Sequence, residues 1–296
     1  MPVTRSLRID LGTLSDHLSA SMPWLDTAAA GLHATFDPIL GERGLPALRD
    51  ALYGTWLGHA LHPFMTDLPI GFWTASMVLD ATGHDDAADL MLKIGTVSAL
   101  GAAVTGVAQW QDLQEMEVPR RIGALHALLN VSATTCYGLS WALRSSNERD
   151  TGKALSLLGG LFATAGGTLG GDLSFKLGIG VSRVAFQEPA AEWTTVATFD
   201  DLEEGTLTRV ETDAEPLVLL RTGDEVVAAS ATCTHVGGPL DEGERDGTCV
   251  TCPWHGSQFD LRDGRVLHGP ATSPLHTYET RIENGQVEVR ALTPAN

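Results

Sequence analysis

Residues 249–259 read CVTCPWHGSQF, and residues 233–240 upstream read CTHVGGPL. Taken alone, Cys249 and Cys252 form a C-x-x-C pair, which suggests a zinc knuckle or a dithiol switch. The upstream stretch changes that reading. Cys233 and His235 stand in C-x-H spacing, and Cys252 and His255 in C-x-x-H spacing, so each arm offers one thiolate and one imidazole. A diiron centre with two thiolates on one iron and two imidazoles on the other needs this division. The reading makes Cys233, His235, Cys252 and His255 the metal ligands. Cys249 is left as a small apolar residue in the run GTCVTC, a short strand entering the loop. Tetrahedral zinc accepts the same donors, but its usual motifs keep the cysteines together and the histidines together. Gly237, Gly238, Pro239 and Gly256 flank the arms and let backbone N–H groups approach bridging sulfides.

The pattern C-T-H…C-P-W-H-G-S resembles the signature of the Rieske family, and the likeness covers residues 192–292. It implies an all-β antiparallel sandwich with a cluster-binding subdomain and a [2Fe-2S] cluster. Pro270, in HGPATSP (268–274), is similar to the proline of the loop that covers the cluster in relatives. High-potential members carry an extra cysteine in each loop, joined as a disulfide; Gly238 and Trp254 stand at those positions here. Ser257 matches a serine that donates a hydrogen bond toward the cluster, while Phe259 replaces a tyrosine donor. Fewer donors lower the potential. The resemblance therefore implies a ferredoxin- or oxygenase-type domain, in the lower half of the roughly −150 to +300 mV range of such centres.

The implied function is one-electron transfer, with a redox partner protein docking at an exposed tip formed by His235 and His255. Rieske oxygenases also need a mononuclear iron held by two His and a carboxylate, in a large domain after the Rieske part. Only TPAN follows Leu292. No catalytic residue is assigned, and the chain is read as an electron carrier or oxidoreductase component, with an oxygenase component or a zinc-binding module as lesser alternatives.

Composition agrees. A formal net charge of −18 excludes nucleic acid as a partner, because phosphates need clustered Lys and Arg. Six stretches in the C-terminal third, EWTTVATF, GTLTRVET, PLVLLRT, EVVAASA, LHTYETRI and QVEVRAL, read as strands separated by Gly and Asn turns.

The chain before them is different in character. Residues 94–110, 122–143 and 154–171 contain no Asp, Glu, Lys or Arg. Each falls within or at the edge of the about 17–25 residues that cross a bilayer as a helix. Residues 59–79 make a fourth candidate despite Asp67. In TAGGTLGG, the pairs Gly166/Gly170 and Gly167/Gly171 have the spacing of close-packed membrane helices. The fold expected here is an all-α four-helix transmembrane bundle. This half resembles a family of predicted four-span membrane proteins of unknown function, through LGHALHPFMTDLPIG, LGGDLSFKLGIGV and the pattern of Arg121, Gly123, His126 and Asn130.

Polar groups inside such spans are costly and mark candidate sites. His59, His62, Asp67, His126 and Asn130 form a candidate bundle site for haem or quinone, which would make the bundle a partner of its own cluster. The expected domains are a partly helical segment at 1–50, the transmembrane domain at 51–185, a linker at 186–191, the Rieske domain at 192–292 and a tail at 293–296. The first twenty residues lack the apolar core of a signal peptide. Arg43, Arg49, Arg120, Arg121, Lys176 and Arg183 outnumber Lys93, Arg144, Arg149 and Lys153 on the opposite loops. That bias places the termini and the Rieske domain on the cytoplasmic side of an inner membrane.

Overall fold

The computed structural model describes residues 11–41 and 44–292; the expectations on the first ten residues, on Arg43 and on the tail at 293–296 lie outside them. The chain divides into two units. One combines residues 11–41 with 62–179, and the other combines 44–61 with 180–292.

The first unit is helical. It holds α1 (Leu11–Ser21), α2 (Trp24–Leu40), α4 (Leu61–Ala81), α5 (Asp85–Trp110), α6 (Glu117–Ser145) and α7 (Arg149–Gly171). Asp85 and Asp86 open α5 and Glu117 opens α6, where negative charge complements the helix dipole. Four spans are expected from the sequence, and among the described residues four helices exceed twenty residues. Among the described residues, two apolar stretches are long enough to cross a membrane: Asp85–Leu113 and Arg149–Lys176. The other two fall short because of their polar content. α4 carries His62, Thr66 and Asp67, while α6 carries His126, Asn130, Thr134, Thr135 and Ser140 between charged ends.

Glycine sets how closely these helices approach. A Cβ on Gly95 would lie 2.6 Å from the Trp73 ring, which itself stacks on Tyr137 at 4.1 Å. Gly166 and Gly170 face Asn130 and His126 of α6, whereas Gly167 meets nothing within 4 Å and Gly171 meets only Phe175. Of the two glycine pairs in TAGGTLGG, one is therefore the packing face. Ion pairs sit at the helix ends: Arg144 bridges Asp80 (2.6 Å) and Asp89 (3.0 Å). Asp26 takes Arg121 (2.5 Å) and Arg120 (3.0 Å), whose hydrogen bonds hold its carboxyl down to about 2.

The second unit contains α3 (Pro46–Tyr53) and two antiparallel sheets. The larger has the order β1-β10-β9-β4-β3-β2, built from β1 (Thr194–Thr198), β2 (Leu207–Val210), β3 (Leu217–Thr222), β4 (Glu225–Ser230), β9 (Thr277–Glu283) and β10 (Gln286–Ala291). These are the six strands read from the sequence. The smaller has the order β5-β6-β7-β8, from β5 (Glu244–Asp246), β6 (Cys249–Thr251), β7 (Gln258–Asp260) and β8 (Val266–His268). The first four residues of β3 are buried on both faces, so that stretch is continuously apolar. Leu217 and Leu219 join a core with Tyr278, Val287 and Val289, while Val218 and Leu220 join a second core with Cys233, Cys252 and Phe259. That second core carries the site.

The sequence reading starts the helical domain at residue 51, but the structure assigns residues 44–61 to the β-rich unit. Hydrogen bonds from α3 explain the difference. Arg49 Nη2 donates to the His255 carbonyl (2.9 Å), and Asp50 Oδ1 accepts from the Gly269 amide (2.7 Å).

Glu215 is a buried carboxylate that accepts from the Tyr278 hydroxyl (2.6 Å) and pairs with His276 Nδ1 (2.9 Å). Burial pushes its pKa up, but His276, Tyr278 and Ser230 outweigh that and leave it below its ordinary value of 4.5. Folding thus favours the ionised form. The stabilisation is complete above the unfolded pKa and is lost as pH falls through the lower folded value. Glu215→Gln is expected to cost about 1–3 kcal/mol at neutral pH and to flatten the acid limb of stability. Urea melts from pH 3 to 7 check this, and an unchanged acid limb would contradict it.

Candidate metal centre

Two loops meet beside the second core: residues 231–240, after β4, and 252–257, between β6 and β7. They share one backbone pattern. Cys233 N donates to Gly238 O (2.9 Å) and Cys252 N to Ser257 O (2.8 Å), each across five residues. Gly237 N donates to Cys233 O (2.9 Å) and Gly256 N to Cys252 O (3.1 Å), each across four. Gly237 and Gly256 close these turns at φ +89° and +71°, a region that favours glycine.

This duplication brings the four predicted residues together in pairs. The Cys233 and Cys252 thiols, both buried, hydrogen-bond each other. The His235 and His255 rings lie 5.1 Å apart at 88°. The Cys233 pKa is pushed well up, first by the Cys252 hydrogen bond and then by burial, while Ser257 and the His235 backbone oppose the rise. Two adjacent buried thiolates repel, and a cation between them removes that penalty. His235 is held down to about 3 by burial, then by His255, Arg49 and Arg183. Its neutral imidazole is the form that ligates metal. Among the described residues, no three His, Cys, Asp or Glu converge as they would on one ion. A thiol pair and an imidazole pair fit a two-iron cluster, and the absent Cβ of Gly238, which would lie 2.7 Å from Cys252 Sγ, leaves room at the sulfur.

The Rieske [2Fe-2S] domain family matches residues 192–279. A second family, a predicted membrane protein (DUF2231), matches residues 58–183. Ferredoxin CarAc of Metapseudomonas resinovorans is 38% identical over 98 residues, which are 33% of this chain and 92% of that protein. This chain belongs to the Rieske [2Fe-2S] family. The anthranilate 1,2-dioxygenase ferredoxin subunit of Burkholderia cepacia is 35% identical over 99 residues, covering 33% of this chain and 92% of the relative. The solved ferredoxin of carbazole 1,9a-dioxygenase from Nocardioides aromaticivorans IC177 is 30% identical, covers 33% of this chain and 96% of its own, and has a TM-score of 0.32.

A Rieske domain implies a [2Fe-2S] cluster. Around its site the flanking residues fall as follows. Ser257 is fully buried; its hydroxyl reaches Cys233 and accepts from the Ala271 amide (3.0 Å), which ties the Pro270 loop to the cluster loop. Pro239 bridges Thr232. Trp254 is exposed and stands edge-on to His255 at 6.5 Å. Phe259 is fully buried in the core and brings no donor. Cys249 pairs with Asp246 and Asp260 across β6 and is partly buried.

The histidine tip differs from expectation. His235 and His255 are partly buried rather than exposed, because α3 backs His255 through Arg49 and the Arg183 amide donates to Thr234 O (3.0 Å). Sequence reasoning missed Arg49, Asp50 and Arg183 as site residues. RDALYGTW carries no motif, and Arg49 and Arg183 were legible only as charges near span ends.

The helical unit brings some of its candidates together. His62 and His126 stand 6.3 Å apart at 85°. His126 Nδ1 lies 2.7 Å from Gly166 O, and Asn130 Nδ2 donates to His126 O (2.9 Å). Asp67 is exposed and does not join them, and His59, also exposed, belongs to the other unit.

Proposed function

We propose that Cys233, His235, Cys252 and His255 hold a [2Fe-2S] cluster and that the chain is a membrane-anchored one-electron carrier. The observation that carries this is the pairing of thiol with thiol and imidazole with imidazole, each loop contributing one of each. The cluster would supply the one-electron redox chemistry. The chain's residues set its conditions: the second core excludes water from the sulfurs, the Ser257 hydroxyl donates toward Cys233, and Phe259 withholds a donor. That balance favours the lower half of the range for Rieske centres. Several relatives are ferredoxins, among them the ferredoxin subunit of anthranilate 1,2-dioxygenase, which points to an oxygenase or another redox protein as partner.

The anchor is all four long helices, α4 to α7. In the two apolar stretches only 28% and 22% of the span window is buried, whereas a soluble core helix is mostly buried. Val97, Leu100 and Leu161 are 58%, 61% and 69% exposed, and α4 and α6 also present Ile70 and Val131 outward. The bias of Lys and Arg supports a reading with the Rieske domain on the cytoplasmic side of an inner membrane.

The test is EPR and optical spectroscopy of detergent-purified full-length protein. A reduced-state signal with the lowered average g value of imidazole-ligated clusters is expected. Iron-free protein, or a four-thiolate signal, would end the ligand assignment.

A second reading rests on His62 and His126. Metal-ligating imidazoles donate their other nitrogen to a carbonyl, and His126 faces Gly166 O in that way. The bundle would then hold a haem iron, or a quinone hydrogen-bonded to the pair, as partner of the cluster. A Soret band lost in His62→Ala, with the cluster signal intact, is the expected result for haem. Membrane-purified protein with neither Soret band nor extractable quinone leaves the bundle as an anchor only.

A further inference from the structure

Helix α3 is hydrogen-bonded to the second cluster loop yet lies outside the segment matched by the Rieske family. Its Arg49 is 5% exposed, donates Nη2 to the His255 carbonyl at 2.9 Å, and lies 5.5 Å over the Tyr53 ring. The next residue, Asp50, clamps the 268–274 loop that carries Pro270. Its Oδ1 accepts from the Gly269 amide (2.7 Å) and its Oδ2 pairs with His268 Nδ1 (2.8 Å). Gly269 admits this contact by lacking a side chain, since a Cβ there would lie 2.7 Å from Thr55 Oγ1. At the first cluster loop Arg183, also outside residues 192–279, hydrogen-bonds through its amide to Thr234, and its Cγ lies 3.6 Å from where a Gly237 Cβ would be.

We propose that Arg49 is an electrostatic positioning residue for the cluster: α3 fixes a guanidinium beside the histidine pair, where it favours the reduced state and raises the reduction potential. This rests on the ligand assignment given above. Reduction adds one electron to a diferric centre and makes one iron ferrous; no bond forms or breaks, and the electron comes from the donor protein or, in the test, from an electrode. The added negative charge is stabilised by a fixed cation, and more strongly where burial lowers the local dielectric than in water. The hydrogen bond to His255 O holds that cation on an element that is itself pinned at Asp50.

The experiment is a mediated redox titration, followed by EPR, of full-length protein in detergent. It compares wild type, Arg49→Gln and Arg49→Lys, with iron content measured on each. Arg49→Gln is expected to load iron and to show about a tenfold lower reduced-to-oxidised ratio at fixed potential, which is about 59 mV for one electron. Arg49→Lys, which keeps the charge, is expected to recover most of that shift. A loaded Arg49→Gln with the wild-type potential overturns the proposal. Should Arg49→Gln fail to load, Arg49→Lys decides: a loaded protein near the wild-type potential supports the role of charge, and a second failure to load makes Arg49 a folding residue and overturns it. A wild type with no imidazole-type signal sinks the ligand assignment itself; a normal wild-type signal with an unmoved variant sinks only the role of Arg49.

Discussion

Cys252→Ala is expected to abolish the cluster, while Cys249→Ala, three residues away, leaves it in place. The Cys252 thiol is buried against Cys233, in the loop whose backbone repeats that of the first arm. Under the proposed ligand assignment, removing it would leave the cluster one thiolate short, and no other cysteine is hydrogen-bonded to Cys233 to replace it. Cys249 points into a different setting. It sits in β6 opposite Asp246 and Asp260, and burial, then Asp260 and Asp246, push its pKa up, which disfavours the thiolate that binds metal. Iron and acid-labile sulfide analysis, with EPR of the reduced proteins, separates the two. Full iron in Cys252→Ala, or none in Cys249→Ala, would mean that the second thiolate has been assigned to the wrong residue.

Gly238→Ala should be nearly as damaging to the cluster although it removes no ligand. The new Cβ would lie 2.7 Å from Cys252 Sγ and 3.2 Å from the Trp254 ring. Sγ would be fixed on holding iron, and Gly238 cannot easily retreat, because its carbonyl is bonded to the Cys233 amide. Overpacking of this kind costs roughly 1–3 kcal/mol, and here it falls on the metal-loaded form. The expected outcome is a folded protein with most of its iron lost. Gly247→Ala is the control. Its φ of +60° strains an alanine, but a Cβ there meets nothing within 4 Å, so it should lower the melting temperature with the cluster retained. Equal iron loss in both variants would reduce the Gly238 effect to general instability.

The molecule is unevenly legible from its residues. The strands of the large sheet follow from alternation and turns such as Asn284-Gly285, where both residues take positive φ. The small sheet was mostly invisible, because β5, β7 and β8 have three residues each, too few to show a period. The long helices were legible from charge-free runs. Which of them suits a bilayer depends on scattered Thr, Asn and His that a charge count ignores.

The sequence by itself singles out the proposed donor set. Cys233, His235, Cys252 and His255 stand in local spacings whose chemistry has few other uses, and short-range signals of that kind survive without knowledge of the fold. Only the tertiary structure decided what surrounds them. Arg49 and His255 are 206 residues apart, α3 carries no motif, and its place in the β-rich unit is set by hydrogen bonds formed once both segments have folded. The same holds for His62 and His126, brought together from different helices while His59 and Asp67 face outward. Contacts between distant segments depend on where whole elements pack, and residue spacing along a chain does not encode that.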